Sequence, residues 1–204
     1  MRLLVRLASA AAIALVSSAA SAQVQLPFPT VDFVLEGKIV AAAAGPAQGV
    51  TTTMRHHSGK MRIDINNMGM KGYMLTERGG KTATMVMEPQ PGMKMAMEID
   101  LGQASGANAG PTDLWSMKGE RIGTDRILGE SCDWWQAEQN GKKSKACVTP
   151  DGIPLKAVNG QTNEPVWEVV RLERSPQDPA LFVVPPDAQR MQAPNMPGMP
   201  PRRQ

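Results

Sequence analysis

Two residue types that build most metal and nucleophile sites are scarce in this chain, which has two histidines, His56 and His57, and two cysteines, Cys132 and Cys147. The histidines are neighbours, and neighbouring residues of a strand point to opposite faces, so the pair does not line one metal site. The cysteines have the wrong spacing for a redox C-x-x-C pair and no nearby histidine to complete a zinc site. No serine stands in a G-x-S-x-G elbow, and no histidine and carboxylate recur at catalytic spacing. The carboxylates Glu36, Asp64, Glu77, Glu98 and Asp100 are scattered over strand faces, where solvation accounts for them. The expectation is a protein that is not an enzyme, with no catalytic residues and no cofactor.

A charge excess is missing too. The formal charge is +3, and two of those positive charges, Arg2 and Arg6, sit in a leader, which leaves +1 on the rest. A nearly neutral chain has no nucleic-acid footprint, and its densest basic group, Lys142, Lys143 and Lys145, lies beside a predicted turn. The leader is Met1 to Ala22: two arginines, an apolar run from Leu7 to Val16, then small residues ending in Ala20-Ser21-Ala22. It reads as a secretory signal peptide with the mature chain starting near Gln23. Its apolar run is too short to span a bilayer, and no later segment is apolar enough to do so. No cysteine follows the cleavage point to carry a lipid. The expected product is exported, periplasmic or secreted, with no stable membrane insertion.

In an oxidising compartment two cysteines read as one disulfide, Cys132 to Cys147. If they face each other across a hairpin, Glu138 to Gly141 form the connection and Asn140-Gly141 supplies its turn chemistry.

What the chain has in quantity is alternation. Met61, Ile63 and Ile65 alternate with Arg62, Asp64 and Asn66, one face buried and the other wet. Further strands are expected over Val31 to Val40, Val50 to His57, Lys71 to Arg78, Lys81 to Glu88, Glu120 to Leu128, Cys132 to Gln139, Lys142 to Thr149, Ile153 to Asn159 and Pro165 to Arg174. Ser58-Gly59 and Gly79-Gly80 connect hairpins. Glu168 breaks the alternation of the last strand, which reads as either bulged or two-sided. Short strands with tight turns and almost no helical period argue for a mainly β fold, one curved antiparallel sheet.

One hairpin stands out. Met85 and Met87, then Met93, Met95, Met97 and Ile99, recur at every second residue on either side of Glu88-Pro89-Gln90-Pro91-Gly92, which reads as the turn. The period puts these methionines on one face, where thioethers are adaptable fillers of apolar surface and also ligands for Cu(I). Their same-face companions Ala83 and Ile99 are apolar. Gln103 to Pro111 is a loop without periodicity, and Pro111 to Met117 a short helix carrying Trp115. Trp134 and Trp135 face opposite ways, and Trp115 and Trp167 read first as packing anchors, with closure over a concave face as the alternative.

Gly129-Glu130-Ser131-Cys132-Asp133-Trp134-Trp135, Cys147-Val148-Thr149-Pro150-Asp151-Gly152-Ile153-Pro154-Leu155 and Asp178-Pro179-Ala180-Leu181-Phe182-Val183-Val184-Pro185 form a recognisable pattern. With Gly59 to Asp64 and Tyr73 to Met97, it resembles a domain-of-unknown-function family of exported bacterial proteins whose sheet is similar to the periplasmic lipoprotein carriers, the LolA/LolB-like half-barrels. The resemblance implies a half-barrel with one or two short helices, at Thr112 to Met117 and Pro176 to Phe182, and an apolar concave face that takes up acyl chains in the carriers.

The expected organisation is a signal peptide over 1–22, an extended lead-in over 23–30, a LolA-like β domain over 31–187 and a disordered Pro/Met tail over 188–204. The leading functional reading is non-enzymatic binding of a lipid or lipidated protein on a concave face lined by Met85, Met87, Met93, Met95, Met97 and Trp115. Cu(I) binding through Met93, Met95 and Met97 is the alternative, and a structural or interaction role at the cell envelope is a third. The sequence sets no oligomeric state.

Overall fold

The alternating runs become strands of one antiparallel sheet, and the computed structural model describes them over residues 24–40, 48–67, 70–101, 118–139 and 141–191. The leader, the Gln103 to Met117 stretch with its expected helix and Trp115, and the chain from residue 192 onward lie outside the described residues.

In chain order the strands are β1 (Val24–Gln25), β2 (Phe33–Ile39), β3 (Thr51–His57), β4 (Lys60–Asn67), β5 (Met70–Glu77), β6 (Thr82–Gln90) and β7 (Met93–Asp100). They continue as β8 (Lys118–Ile127), β9 (Glu130–Gln139), β10 (Lys142–Val148), β11 (Pro154–Asn159), β12 (Pro165–Glu173) and β13 (Gln189–Met191). All belong to one sheet ordered β1-β8-β9-β10-β11-β12-β2-β3-β4-β5-β6-β7-β13. Its two ends, β1 and β13, do not pair, so the sheet is curved but open and the barrel does not close. Pairing is antiparallel throughout, except that β13 runs parallel to β7.

Local chemistry sets the joints. Between His57 and Lys60, which pair, Ser58 and Gly59 take φ of 48° and 81°, the double left-handed geometry that suits a two-residue hairpin in a right-twisted sheet. Thr52 of β3 opposes Gly37 of β2, and a Cβ on Gly37 would lie 2.0 Å from the Trp167 ring. Glycine is needed there because the indole lies flat on the backbone and donates from Nε1 to Thr52 Oγ1 at 3.2 Å. Trp167 is therefore a packing anchor inside the core.

Several expectations need correction. The methionine hairpin turns at Pro91-Gly92, because β6 continues to Gln90, which pairs with Met93 after a bulge beyond Met87. Cys132 and Cys147 do not face each other: Cys147 pairs with Trp134, and Lys142 with Gln139, which leaves two residues in the turn. The disulfide spans a diagonal of this register, with Cα atoms 5.4 Å apart. Of the expected helices, Pro176 to Phe182 contains a single 3-10 turn, Pro179–Phe182, capped by Asp178, whose side chain accepts from Ala180 N–H. Beyond it the described residues run to Met191 and end in β13, so Gln189–Met191 form a strand at the start of the stretch where the tail is expected, and the rest of that stretch lies outside the described residues.

Of the two readings of β12, the pairing favours the bulged one, since its register with β2 shifts between Val169 and Arg171.

The core forms where the two halves of the sheet face each other. Phe33, Leu35, Met54, Met61 and Ile63 from β2 to β4 pack with Cys132, Cys147, Ile153, Leu155, Trp167 and Val169. Trp134 packs beside this cluster, while Trp135 packs with Leu26, Ala146 and Val148 in a second one, so the two indoles do face opposite ways.

Candidate functional site

The pairing registers define one continuous row of residues across seven strands: Leu35, Met54, Ile63, Met74, Met85, Met97 and Met191. Partners in a ladder share a face, so all seven belong to the inner face of the sheet. Burial falls along the row. Leu35, Met54 and Ile63 are 1%, 0% and 2% exposed, Met74 is partly buried against the core, Met85 and Met97 are half-buried, and Met191 is 51% exposed. A neighbouring row carries Gly72, Met87, Met95 and Gln189. Met87 and Met95 are also half-buried, and Met93, next along β7, is 43% exposed.

The sequence-derived methionines Met85, Met87, Met95 and Met97 thus sit together as two facing cross-strand pairs, with Met93 at their end. Met74 and Met191 extend the group from β5 and β13. Met74 carried a signal, since it lies in a strand two residues from Gly72; Met191 carried none, because a three-residue exposed strand has no period to read. Trp115 lies outside the described residues. The result is a thioether-rich, apolar wall that continues the core face beyond the packed core.

The outer face of the same strands is crossed by a strap, residues 175–188, that leads into β13. Arg62 Nη1 donates to the Leu181 carbonyl at 3.0 Å, Phe182 is buried with its ring centroid 5.8 Å from that of His57, and Lys94 pairs with Asp187 at 3.0 Å. Beneath it Asp64 bridges Arg55 and Arg62, and the Arg62 guanidinium stacks 3.6 Å from the centre of the Tyr73 ring. On this face Val86 and Ala96 are buried. A shallow hollow of about 230 Å³ lies beside the strap, lined by Arg62, Asp64, Lys71, Tyr73, Glu88 and Lys94 among others. Its charges are of both signs and mostly matched within the fold, which suits a solvated surface more than an apolar ligand. Burial raises the Tyr73 hydroxyl pKa above its ordinary value despite the nearby Arg62 and Lys94.

The histidines part as strand geometry requires. His56 is buried between Phe28 and Phe33, with Nδ1 2.7 Å from the Val31 carbonyl and Nε2 accepting from Gly59 N–H at 3.1 Å. Both ring nitrogens are used, the proton is on Nδ1, and burial lowers the pKa below its ordinary value. It is a neutral core histidine. His57 points outward and its Nδ1 lies 2.7 Å from Asp32 Oδ2. Burial pushes the Asp32 carboxyl up, but His57 and the Gln177 N–H together hold it below the ordinary range. Ser58 Oγ is 3.4 Å from His57 Nε2. The grouping ties the strap to the β3–β4 turn. Among the described residues no three His, Cys, Asp or Glu side chains come together to hold a metal ion, and no helix is long and apolar enough to cross a membrane.

Fold and site together define a mainly β protein built on one open, curved antiparallel sheet with a disulfide, the kind of cross-link that persists in oxidising, extracytoplasmic compartments. The chain belongs to the family described as Domain of unknown function (DUF4412), whose profile matches residues 35–151. The matched stretch holds the methionine hairpin and both cysteines, so the family resemblance read from these motifs is met. No curated protein matches the chain. Among solved structures it is similar to PNGF-II in a C2 crystal form, with 10% identity and a TM-score of 0.52 over 81% of this chain and 31% of that one. This chain thus spans about a third of the PNGF-II chain, and the likeness is one of fold. It is also similar to the MucA/MucB complex structure from Pseudomonas aeruginosa, with 12% identity and a TM-score of 0.34 over 78% of this chain and 58% of that one.

Proposed function

We propose that the protein is an exported, non-enzymatic binding protein that takes up an apolar ligand, a lipid chain or a lipidated partner, on the methionine face of β5 to β7. The observation that carries this reading is the fall of burial along the row from Leu35 to Met191. At its far end apolar side chains on three neighbouring strands stay partly exposed on the face that elsewhere builds the core. Partly exposed apolar surface of this continuity is what marks a binding face in a folded protein. Methionine suits it, because an unbranched, polarisable side chain repacks around ligands of variable shape. The hollow on the outer face mixes charged groups with Val86 and Met87 and presents no continuous apolar row. The disulfide and the N-terminal leader support export.

The test is lipid extraction and mass spectrometry of the purified protein, joined to displacement of a fluorescent fatty acid. Co-purifying acyl chains, and displacement weakened at least ten-fold by Met85→Asp with Met97→Asp in a variant of unchanged circular dichroism, are expected. A wild-type protein that carries no lipid and does not bind the probe overturns the reading.

A further inference from the structure

We propose that the same face is a thioether site for a soft monovalent cation, Cu(I) or Ag(I), held by three or four of Met85, Met87, Met95 and Met97. The register supplies the geometry. Met85 faces Met97 and Met87 faces Met95 on adjacent, antiparallel strands, so four thioethers occupy the corners of one small patch. Facing Cβ atoms in such a ladder are about 4.5–5.5 Å apart, and three side-chain torsions let each sulfur turn toward a common centre. Met74 stands beside Met85, and Met191 beside Met97, as further thioethers at the rim. The neighbours in register, Ile63, Gly72, Ala83, Ile99 and Gln189, include no carboxylate, imidazole or thiol. An all-thioether set prefers a soft d10 ion and gives nothing to Mg²⁺, Ca²⁺ or Zn²⁺. Accessibility picks this patch over the other methionines of the face: Met54 and Met61 are fully buried, while these four are half-buried and reachable.

The chemistry also fits the compartment. Both cysteines are consumed in the disulfide, and no free cysteine remains. Methionine sulfur does not form disulfides, so it persists as a sulfur ligand where thiols are oxidised. Binding is ligand exchange alone: sulfur lone pairs replace the ligands of an incoming Cu(I), no electron moves, and no proton leaves because a thioether carries none. Affinity is therefore independent of pH between 5.5 and 7.5, unlike a cysteine or histidine site.

The experiment is anaerobic titration of the full chain with Cu(I) presented by a chromophoric chelator, at both pH values. About one equivalent should leave the chelator. Replacing Met85, Met95 and Met97 together by leucine should weaken binding ten-fold or more, while Met93→Leu changes it less than three-fold. In parallel, methionine-methyl NMR with Ag(I) should move the signals of the four face methionines and leave Met54 and Met61 still. Unchanged affinity in the triple variant, or methyl shifts confined to other methionines, overturns the proposal. Leucine keeps the apolar area, so the triple variant still displaces fatty acid if the apolar-ligand reading holds. Each reading thus fails on its own measurement.

Discussion

Met54 and Met85 lie in the same row of the same sheet face, three ladders apart, yet one is sealed and the other is only partly buried. Residue type does not separate them. What differs is the opposite wall: around Met54 the second half of the sheet brings Ile153, Leu155 and the disulfide across, whereas Met85 and Met97 have no part in that cluster. A strand's own alternation decides which side chains share a face, but the long-range curl of the sheet decides which of them become core.

The strongest way to break this comparison is truncation at both ends. Met54→Ala should destabilise the fold by about 2–5 kcal/mol, the range for emptying a packed site. Met85→Ala should cost at most about 1 kcal/mol, since only a half-buried side chain is lost. Paired urea titrations check this, and equal losses would mean that the methionine face is packed after all. Next in size is the cross-link at the closed end. Replacing Cys132 and Cys147 by serine should lower stability by about 3 kcal/mol for a loop of this length, seen as a shifted urea midpoint. Gly37→Ala should cost about 1–3 kcal/mol by driving a methyl group into the Trp167 ring. Trp167 fluorescence should report the displaced indole, and an unshifted spectrum with unchanged stability would count against the close approach.

The smallest expected effect is one of pH and belongs again to the closed end. Burial holds His56 below its ordinary pKa of 6.5, so on acidification the unfolded chain takes up that proton before the folded one. This contribution to stability is complete above about pH 6.5 and is lost as pH falls through that value toward the lower folded one. Urea midpoints at pH 7.5 and 5.5 should differ in the wild type and differ less in His56→Gln. A variant with the same pH slope as the wild type would assign the loss elsewhere.

Much of the architecture was legible because its signals are local. The period of two located eleven of the strands to within about two residues, and Ser58-Gly59 marked a real two-residue turn. The facing of Met85 on Met97 followed once the hairpin was placed. The disulfide pairing was legible from the count of two cysteines, but not the register, since a disulfide also fits a diagonal such as the one between Cys132 and Cys147. β13 escaped because three exposed residues held by a distant strand leave no pattern, and with it went Met191. The partial exposure of the methionines was not legible, since it depends on which residues from distant strands join the core cluster, and Met85 and Met97 are outside it.

The three-residue β13 has a consequence for solubility. Without it, β7 would offer water a free rail of N–H and C=O groups flanked by Met95 and Met97, the combination by which one sheet recruits another molecule's strand. Gln189 to Met191 blunts that rail over its most apolar stretch, and Arg190 brings a charge to the new outer border. These three residues therefore cover the β7 edge beside Met95 and Met97, denying it to a growing aggregate.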